Sequence, residues 1–465
     1  MPKAHDTAKR NPLPTNEDTL IASLTIDDTP IVARCRRRVV RRLMPYLFLL
    51  YIIAYLDRAN VGYANLQMKG ALGFTDAVFG FGAGVFFIGY FILEIPGSIL
   101  VEKWTARGWI ARIMISWGVV AILMGFIHTK NQFYLLRFLL GAAEAGFFPG
   151  IIVYLSHWFR YQDRAKVLAL FMAAQPVSLF IGSPISGLLL KANWFGMPGW
   201  RWLFIVEGMP AIIFGIVTLF YLTDWPHQAR WLPDDEQEWL TSELEREKQA
   251  KQGAHSLGIL QAFRHREVIL LTLAYICVNG TVYGFTFWLP QIIKKYSGSS
   301  DLVVSLLSAP VFATGIVAIL VVGWSSDRMK ERRWHAAVCL MIASIGLFLA
   351  VTAKDHLSLS IAMFSFAAIG LYGYLPGFWS LPTSFLSGTT AAASIGLINS
   401  VGNLGGFVGP YVVGYLKTGD SYFTGVLYLS GSALAAACLV LSLRATRVDR
   451  LSTAINTKRG EVESA

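Results

Sequence analysis

Long apolar stretches, each about the length of a membrane-crossing helix, recur along the whole chain. A helix needs about 20 apolar residues to cross the hydrocarbon core of a bilayer. The sequence contains twelve such runs, at residues 43–63, 79–101, 109–128, 132–157, 165–190, 203–222, 267–290, 302–323, 334–353, 357–380, 391–416 and 422–444. The pattern predicts an all-α integral membrane protein with twelve transmembrane helices.

The composition and the placement of charge agree with this prediction. Only 15% of the 465 residues are charged, whereas a soluble domain carries about 25%. If the N-terminus is placed in the cytoplasm, 30 of the 40 Lys and Arg residues fall on that side of the membrane and eight on the other. Cytoplasmic loops are rich in these residues. We therefore expect both termini in the cytoplasm, contact with the lipid bilayer, and no binding of nucleic acid despite the net charge of +11.

The longest polar interruption divides the chain near its middle. Residues 223–266 mix many acidic with basic side chains, which is typical of a solvated helix. We predict an N-terminal six-helix bundle at 42–222 and a C-terminal six-helix bundle at 267–444. This cytoplasmic linker would join them, and cytoplasmic tails would cover 1–41 and 445–465. Two such halves that flank a central site are typical of transporters.

The loops after the second and eighth spans carry a repeated pattern. Residues 98–107 and 323–332 both follow small-x-x-x-acid-base-x-x-x-Arg, and the two acids are 225 residues apart. These loops resemble the signature of the major facilitator superfamily. The second copy matches well, whereas in the first copy Ser98, Glu102 and Thr105 replace the usual Gly, Asp and Gly.

Further stretches resemble the anion:cation symporter branch of that superfamily. They are YLDRANVG at 55–62, RFLLGAAEAGFFPG at 137–150, GWRWLFIVEG at 199–208 and INSVGNLGGFVGP at 398–410. The resemblance covers about residues 40–445 and implies the major facilitator fold. It also implies a monomer in a bacterial inner membrane that imports organic anions, such as tartrate and sugar acids, with protons or, in some members, sodium.

Ionisable residues lie well inside the spans of the N-terminal half, where each costs on the order of 3 kcal/mol. We predict that Arg58 and Arg137 bind the substrate carboxylate, since a guanidinium offers a planar fork and keeps its charge. Asp57 and Glu144 are predicted to exchange protons, because burial favours the neutral carboxyl and a nearby arginine favours the carboxylate. Structural ion pairs between spans 1 and 4 are the alternative, but the resemblance implies coupling and binding roles for all four. Glu94 in span 2 could pair laterally or line a cavity.

Uncharged polar and aromatic side chains could complete a central site. The resemblance favours Tyr90, Gln175 and Asn399, and Asn279 and Tyr283 are further candidates. Packing between helices is an equal alternative for any one of them. With the two arginines, the predicted substrate-binding set is Tyr55, Arg58, Tyr90, Arg137, Gln175, Trp379, Ser380, Asn399 and Asn403.

The two repeated loops are predicted to latch the halves together at the cytoplasmic face. An acid at a helix end can bind an arginine across the seam when that side is closed, and the resemblance implies this use. A topology signal alone is the alternative. The predicted gate residues are Glu102, Arg107, Asp327, Arg328 and Arg332.

Other classes of protein are not favoured. None of the eight His residues lies in the middle of a span, and the spans contain no motif of a membrane-embedded hydrolase. The four Cys residues are scattered, so neither a zinc site nor a disulfide framework is indicated. We expect a secondary active transporter, not an enzyme, without cofactor or metal. Its predicted substrate is a hydroxy-dicarboxylate or sugar acid, such as tartrate, glucarate or galactonate, carried with protons. Aromatic or short-chain carboxylates, and sodium in place of protons, are the alternatives.

Overall fold

The computed structural model describes residues 30–103, 105–252, 265–385, 388–417, 419 and 421–444. Sixteen α-helices make up most of this part of the chain. In chain order they are α1 (Pro30–Leu72), α2 (Asp76–Lys103), α3 (Ala106–Met124), α4 (Lys130–Glu144), α5 (Phe147–Ser156), α6 (Tyr161–Met172), α7 (Ala174–Leu190), α8 (Gly199–Tyr221), α9 (Asp234–Gln252), α10 (Arg266–Ser297), α11 (Asp301–Met329), α12 (Arg333–Thr352), α13 (Leu357–Phe385), α14 (Gly388–Gly402), α15 (Gly405–Leu416) and α16 (Phe423–Leu441).

Each of the twelve predicted spans coincides with one helix or with two consecutive helices. In the described part of the chain, eleven segments are long and apolar enough to cross a membrane. The pair α14–α15 covers the remaining span, predicted at 391–416. The helix α9 lies in the segment predicted as a linker, and the acidic residues of its first turn suit the positive end of the helix dipole.

The first helix begins earlier than its apolar run predicts. Ion pairs hold its basic start against α9: Arg34 Nη2 lies 3.3 Å from Asp235 Oδ2, and Arg38 Nε lies 3.1 Å from Glu236 Oε2. Part of the segment predicted as a tail is therefore helical and packed. The rest of the two predicted tails, 1–29 and 445–465, lies outside the described residues.

Three spans are interrupted, and the interruptions fall close to predicted functional residues. Between α4 and α5, Gly146 adopts a φ of +86°, a conformation that glycine reaches without a steric penalty. The breaks at Ala173 and at Asn403–Leu404 lie next to Gln175 and Asn399. Irregular backbone is tolerated at membrane depth where it lines a cavity or is buried in protein. Helices thus end or begin close to the residues of the expected site.

The two halves meet mainly along three helix pairs, α1 with α10, α2 with α15 and α7 with α11, and α2 also contacts α14. We call the end of the bundle where α1 begins and α16 ends the terminal side, and the opposite end the far side. Several hydrogen bonds join the halves toward the far side. They run from Lys417 Nζ to Asp76 Oδ2 (2.8 Å), from Gln67 Nε2 to Asp301 Oδ2 (2.9 Å) and from Gln291 Nε2 to the Gly62 carbonyl (2.6 Å).

Close packing of α2 against α4 depends on Gly141. A Cβ atom at this position would overlap the backbone oxygen of Phe86. We expect Gly141→Ala to lower the melting temperature of the purified protein by a few degrees, because overpacking a helix contact costs about 1–3 kcal/mol. Gly431→Ala on α16 is the matched control, since a Cβ there meets no atom within 4 Å. Melting can be monitored by tryptophan fluorescence. Equal melting temperatures for the two variants would contradict this packing.

Candidate substrate cavity

A small cavity lies between the two halves, and helices of both halves supply its wall. Seven of the nine residues predicted to bind substrate line it, and they are Tyr55, Arg58, Tyr90, Gln175, Trp379, Asn399 and Asn403. The structure therefore brings most of the predicted set together from α1, α2, α7, α13, α14 and the break that follows α14. Arg137 and Ser380 are not part of the wall.

Arg58 brings a positive charge to the cavity wall and contacts both halves. Its Nη2 donates to Glu144 Oε1 in its own half, and its Nη1 donates to the Tyr283 hydroxyl of the other half at 2.9 Å. Its guanidinium carbon lies 4.9 Å from the centroid of the Tyr55 ring and 5.4 Å from that of Tyr90. The aromatic faces and the carboxylate stabilise a charge that is 9% exposed.

Glu144 is the last residue of α4, directly before the interruption at Ala145 and Gly146. Only 2% of its surface is exposed, and it does not form part of the cavity wall. Its carboxylate contacts the cavity wall through its hydrogen bond to Arg58. A ligand carboxylate in the cavity would therefore compete with Glu144 for the same guanidinium.

Asp57 precedes Arg58 on the same helix but does not line the cavity. Its Oδ2 accepts a hydrogen bond from Trp117 Nε1 at 2.8 Å, and its Oδ1 has no hydrogen-bond partner among the described residues. The side chain is 2% exposed. Asp57 is thus enclosed within the N-terminal half, and its role in proton exchange stays a prediction.

Arg137 contacts backbone rather than ligand space. Its Nη2 donates to the Ala83 carbonyl at 3.0 Å and its Nε to the Gly82 carbonyl at 3.3 Å, and none of its surface is exposed. The predicted pairing with a substrate carboxylate has no counterpart in this arrangement. Arg137 instead joins α4 to α2, the helix that carries Tyr90 and Glu94.

The C-terminal half contributes amides and aromatic rings. Asn399 Nδ2 donates to Glu94 Oε1 at 2.6 Å, and Asn279 Nδ2 donates to Asn403 Oδ1 at 3.3 Å. The sequence left the role of Glu94 open. In the structure, Glu94 forms a hydrogen bond between the two halves. Trp379 packs edge-on against the Tyr275 ring.

Ser380 lies beside the wall but turns away from it. Its Oγ donates to the Pro376 carbonyl of its own helix at 2.8 Å. Tyr51 and Tyr275 line the cavity although the sequence pattern does not predict them. The signal for Tyr51 is its position one helical turn before Tyr55, which places both rings on one face.

The described contacts of the predicted gate residues do not join the two halves. Arg107 Nε lies 3.5 Å from Oδ2 of Asp224, at the start of the linker, and Arg332 Nη1 lies 2.7 Å from Asp327 Oδ1 in the C-terminal half. The Arg328 guanidinium stacks 5.4 Å above the Trp324 ring. The side chain of Glu102 lies outside the described residues. A latch between the halves stays a prediction.

Comparison with known proteins agrees with this architecture. The family model of the Major Facilitator Superfamily matches residues 47–410. A protein of Agrobacterium vitis named "Putative tartrate transporter" is 45% identical over 414 residues, which cover 89% of this chain and 95% of that protein. A "Quinolone resistance transporter" of Acinetobacter baumannii is 39% identical over 405 residues, which cover 86% of this chain and 93% of that protein.

Among solved structures, the crystal structure of a D-xylose-proton symporter matches with a TM-score of 0.70 at 14% identity. The match covers 88% of this chain and 98% of that one. Together with the family match, it confirms the predicted major facilitator fold of twelve helices in two six-helix bundles. The relatives also confirm the prediction that the chain is a transporter and not an enzyme.

The backbone contacts of Arg137 predict a structural effect. We expect Arg137→Lys to lower the melting temperature, because an ammonium cannot reproduce the fork that reaches two successive carbonyls. Arg112→Lys is the control, since Arg112 is exposed and stacks on Trp109. If Arg137→Lys melts like the wild type but is no longer stabilised by added ligand, Arg137 contacts the substrate after all.

Proposed function

The chain belongs to the major facilitator superfamily and is a multi-pass membrane transporter, and from this premise we propose that it imports an organic anion by proton symport. The proposed substrates are hydroxy-dicarboxylates and sugar acids, such as tartrate, glucarate or galactonate. The name of the Agrobacterium vitis relative supports tartrate or a related acid. The cavity supports the same class, because it offers a guanidinium beside several amides.

The Arg58–Glu144 pair carries this proposal. A buried guanidinium needs a negative partner, and in the structure Glu144 is that partner. A substrate carboxylate can take its place only if the charge of Glu144 is removed or moved away. A proton on Glu144 removes that charge, so binding of the anion favours uptake of the proton. The two ions are then carried together without leaving an unpaired buried charge.

The amides suit the remaining groups of such a substrate. Gln175 lies on the N-terminal side of the cavity, and Asn399 and Asn403 lie on the opposite wall. Because Asn399 donates its N–H to Glu94, its carbonyl oxygen is left to accept from a ligand hydroxyl. Each such hydrogen bond contributes about 1 kcal/mol. Several of them would favour a polyhydroxylated acid over a simple one.

Orientation in the membrane links the structure to a transport step. With both termini in the cytoplasm of a bacterial cell, the far side faces the periplasm. The bonds of Lys417, Gln67 and Gln291 then close the outer entrance. Alternating access would require these bonds to break when the halves rock about the cavity. We propose that the protein acts as a monomer, with one cavity between bundles at 42–222 and 267–444.

The number of protons determines how strongly the membrane potential drives uptake. One proton with a monoanion carries no net charge, whereas two protons carry one positive charge inward. That charge is worth about 2.3 kcal/mol per 100 mV. Glu144 accounts for one proton. Asp57, which has no cationic partner among the described residues, is the second carrier that the sequence predicts.

An aromatic carboxylate is the second candidate substrate. The cavity wall contains Tyr51, Tyr275, Trp379 and Phe148, on which a ring could stack. The name of the "Quinolone resistance transporter" also supports an aromatic ligand, because quinolones are aromatic carboxylic acids. Sodium instead of protons is the alternative coupling ion, since carboxylates and amides also bind sodium.

Uptake into proteoliposomes tests the proposal. We expect labelled galactonate, glucarate or tartrate to accumulate when the outside is made acidic, and benzoate to accumulate little. Glu144→Gln should lose this gradient-driven accumulation by at least about tenfold yet retain exchange of internal for external substrate, since a neutral residue keeps Arg58 available for the anion. Glu207→Gln is the matched control, because Glu207 is also buried in a span but bonds Ser186 away from the cavity.

Other outcomes separate the alternatives. Uptake driven by a sodium gradient alone would show that the coupling ion is wrong. Transport of benzoate without any sugar acid would show that the substrate class is wrong. Full gradient-driven accumulation by Glu144→Gln would contradict the assigned coupling role.

A further inference from the structure

Glu94 forms a hydrogen bond between the two halves at the cavity. It lies on α2, and its Oε1 accepts from Asn399 Nδ2 on α14 at 2.6 Å. Glu94 is 4% exposed, and its Oε2 has no hydrogen-bond partner among the described residues. The carboxyl group is therefore enclosed with half of its hydrogen-bonding capacity unused.

The surroundings of Glu94 contain little to balance a negative charge. The titratable groups that face it are Tyr90 on its own helix, Arg58 on α1 and Tyr275 on α10. Arg58 already pairs with Glu144. On α4, which also packs against α2, Arg137 donates to the backbone of α2 and Glu144 pairs with Arg58. On α14 and at its end, the groups at hand are the amides of Asn399 and Asn403 and the hydroxyl of Ser400.

A buried carboxylate without a cation is costly, and the cost disappears when the group carries a proton. The cost also disappears when water reaches the group. Whether Glu94 is enclosed depends on the distance between α2 and α14, which belong to different halves. Both helices have a point near this bond where they can bend or move. Pro96 follows Glu94 on α2, and α14 ends at Gly402, shortly after Asn399.

We propose that Glu94, in place of Asp57, is the second proton-carrying residue of the transport cycle beside Glu144, and that it acts on the substrate through Asn399. A proton from water binds Glu94 when α2 and α14 close around it, and it leaves when the halves separate and water returns. The bond to Asn399 fixes the amide that faces the cavity, so the protonation state of Glu94 and the occupancy of the cavity are linked. Glu94 is a positioning residue here, since it does not itself line the cavity. The proposal rests on the proposed proton symport.

The number of protons per substrate tests this role. For galactonate, a monoanion, we expect wild-type uptake to increase with an inside-negative membrane potential at a fixed pH gradient. Glu94→Gln can still accept the hydrogen bond from Asn399 but cannot bind an additional proton. We expect its rate of galactonate exchange to be within about twofold of the wild-type rate. Its net uptake should no longer depend on the membrane potential. Glu207→Gln should keep the wild-type dependence on potential.

A second variant and a second readout guard against a folding defect. Asn399→Ala leaves Glu94 in place without its partner, and we expect its dependence on potential to be weakened as well. Infrared spectra of the detergent-solubilised protein, recorded against pH without substrate, should show a protonated-carboxyl band in the wild type that is missing in Glu94→Gln.

The outcomes distinguish the two proposals. If no acid accumulates in the wild type under a proton gradient, the proposed symport fails, and the infrared difference alone then decides whether Glu94 carries a proton. If wild-type uptake is proton-driven but Glu94→Gln retains the full dependence on potential, the role of Glu94 is overturned and the symport stands. Identical infrared spectra of wild type and Glu94→Gln at every pH would also overturn it.

Discussion

The ion pair of Arg58 and Glu144 is the constraint on which the proposed mechanism depends. A guanidinium at membrane depth must be balanced, and the chain balances it with a carboxylate on a neighbouring span and a hydroxyl on the opposite half. The cavity is built around this charge, with aromatic rings beside it and amides across from it. Any anion that enters must compete with Glu144. In the proposed mechanism, coupling follows from charge balance at one arginine and does not require a long-range pathway.

The local structure around the pair explains how it can change partners. Glu144 ends α4, and the left-handed Gly146 separates it from α5. Helix breaks with right-handed backbone angles lie near Gln175, at Ala173, and after Asn399, at Asn403–Leu404. Most residues of the cavity wall thus lie on helices, and several of them are close to the point where a helix begins or ends. The far-side bonds and the Glu94–Asn399 bond lie at different depths of the seam, so rocking of the halves would affect them differently.

Much of the fold could be predicted from the sequence, because membrane helices can be recognised by the length of their apolar runs. The twelve spans match helices of the structure, and the polar linker contains α9. The early start of α1 could not be predicted from hydropathy, since it depends on pairs such as Arg34–Asp235, whose members are 201 residues apart.

The site could be predicted in part, for a related reason. The charge of Arg58 is unusual within a span, and this singles it out together with Arg137. Only the three-dimensional arrangement shows that Arg58 faces the cavity while Arg137 binds the carbonyls of Gly82 and Ala83. The direction of Asp57, toward Trp117, is likewise invisible in the sequence. Spacing along a helix shows which face of the helix a residue occupies. It does not show which part of the protein packs against that face.

The most direct test of the central claim is to count the protons taken up when an anion binds to the purified protein. In weakly buffered detergent solution, binding of galactonate should draw protons from the solvent. Glu144→Gln should take up about one proton fewer per anion bound, because the wild type neutralises the charge of Glu144 by binding a proton. Equal proton uptake by wild type and Glu144→Gln, at matched occupancy, would contradict the exchange of partners at Arg58.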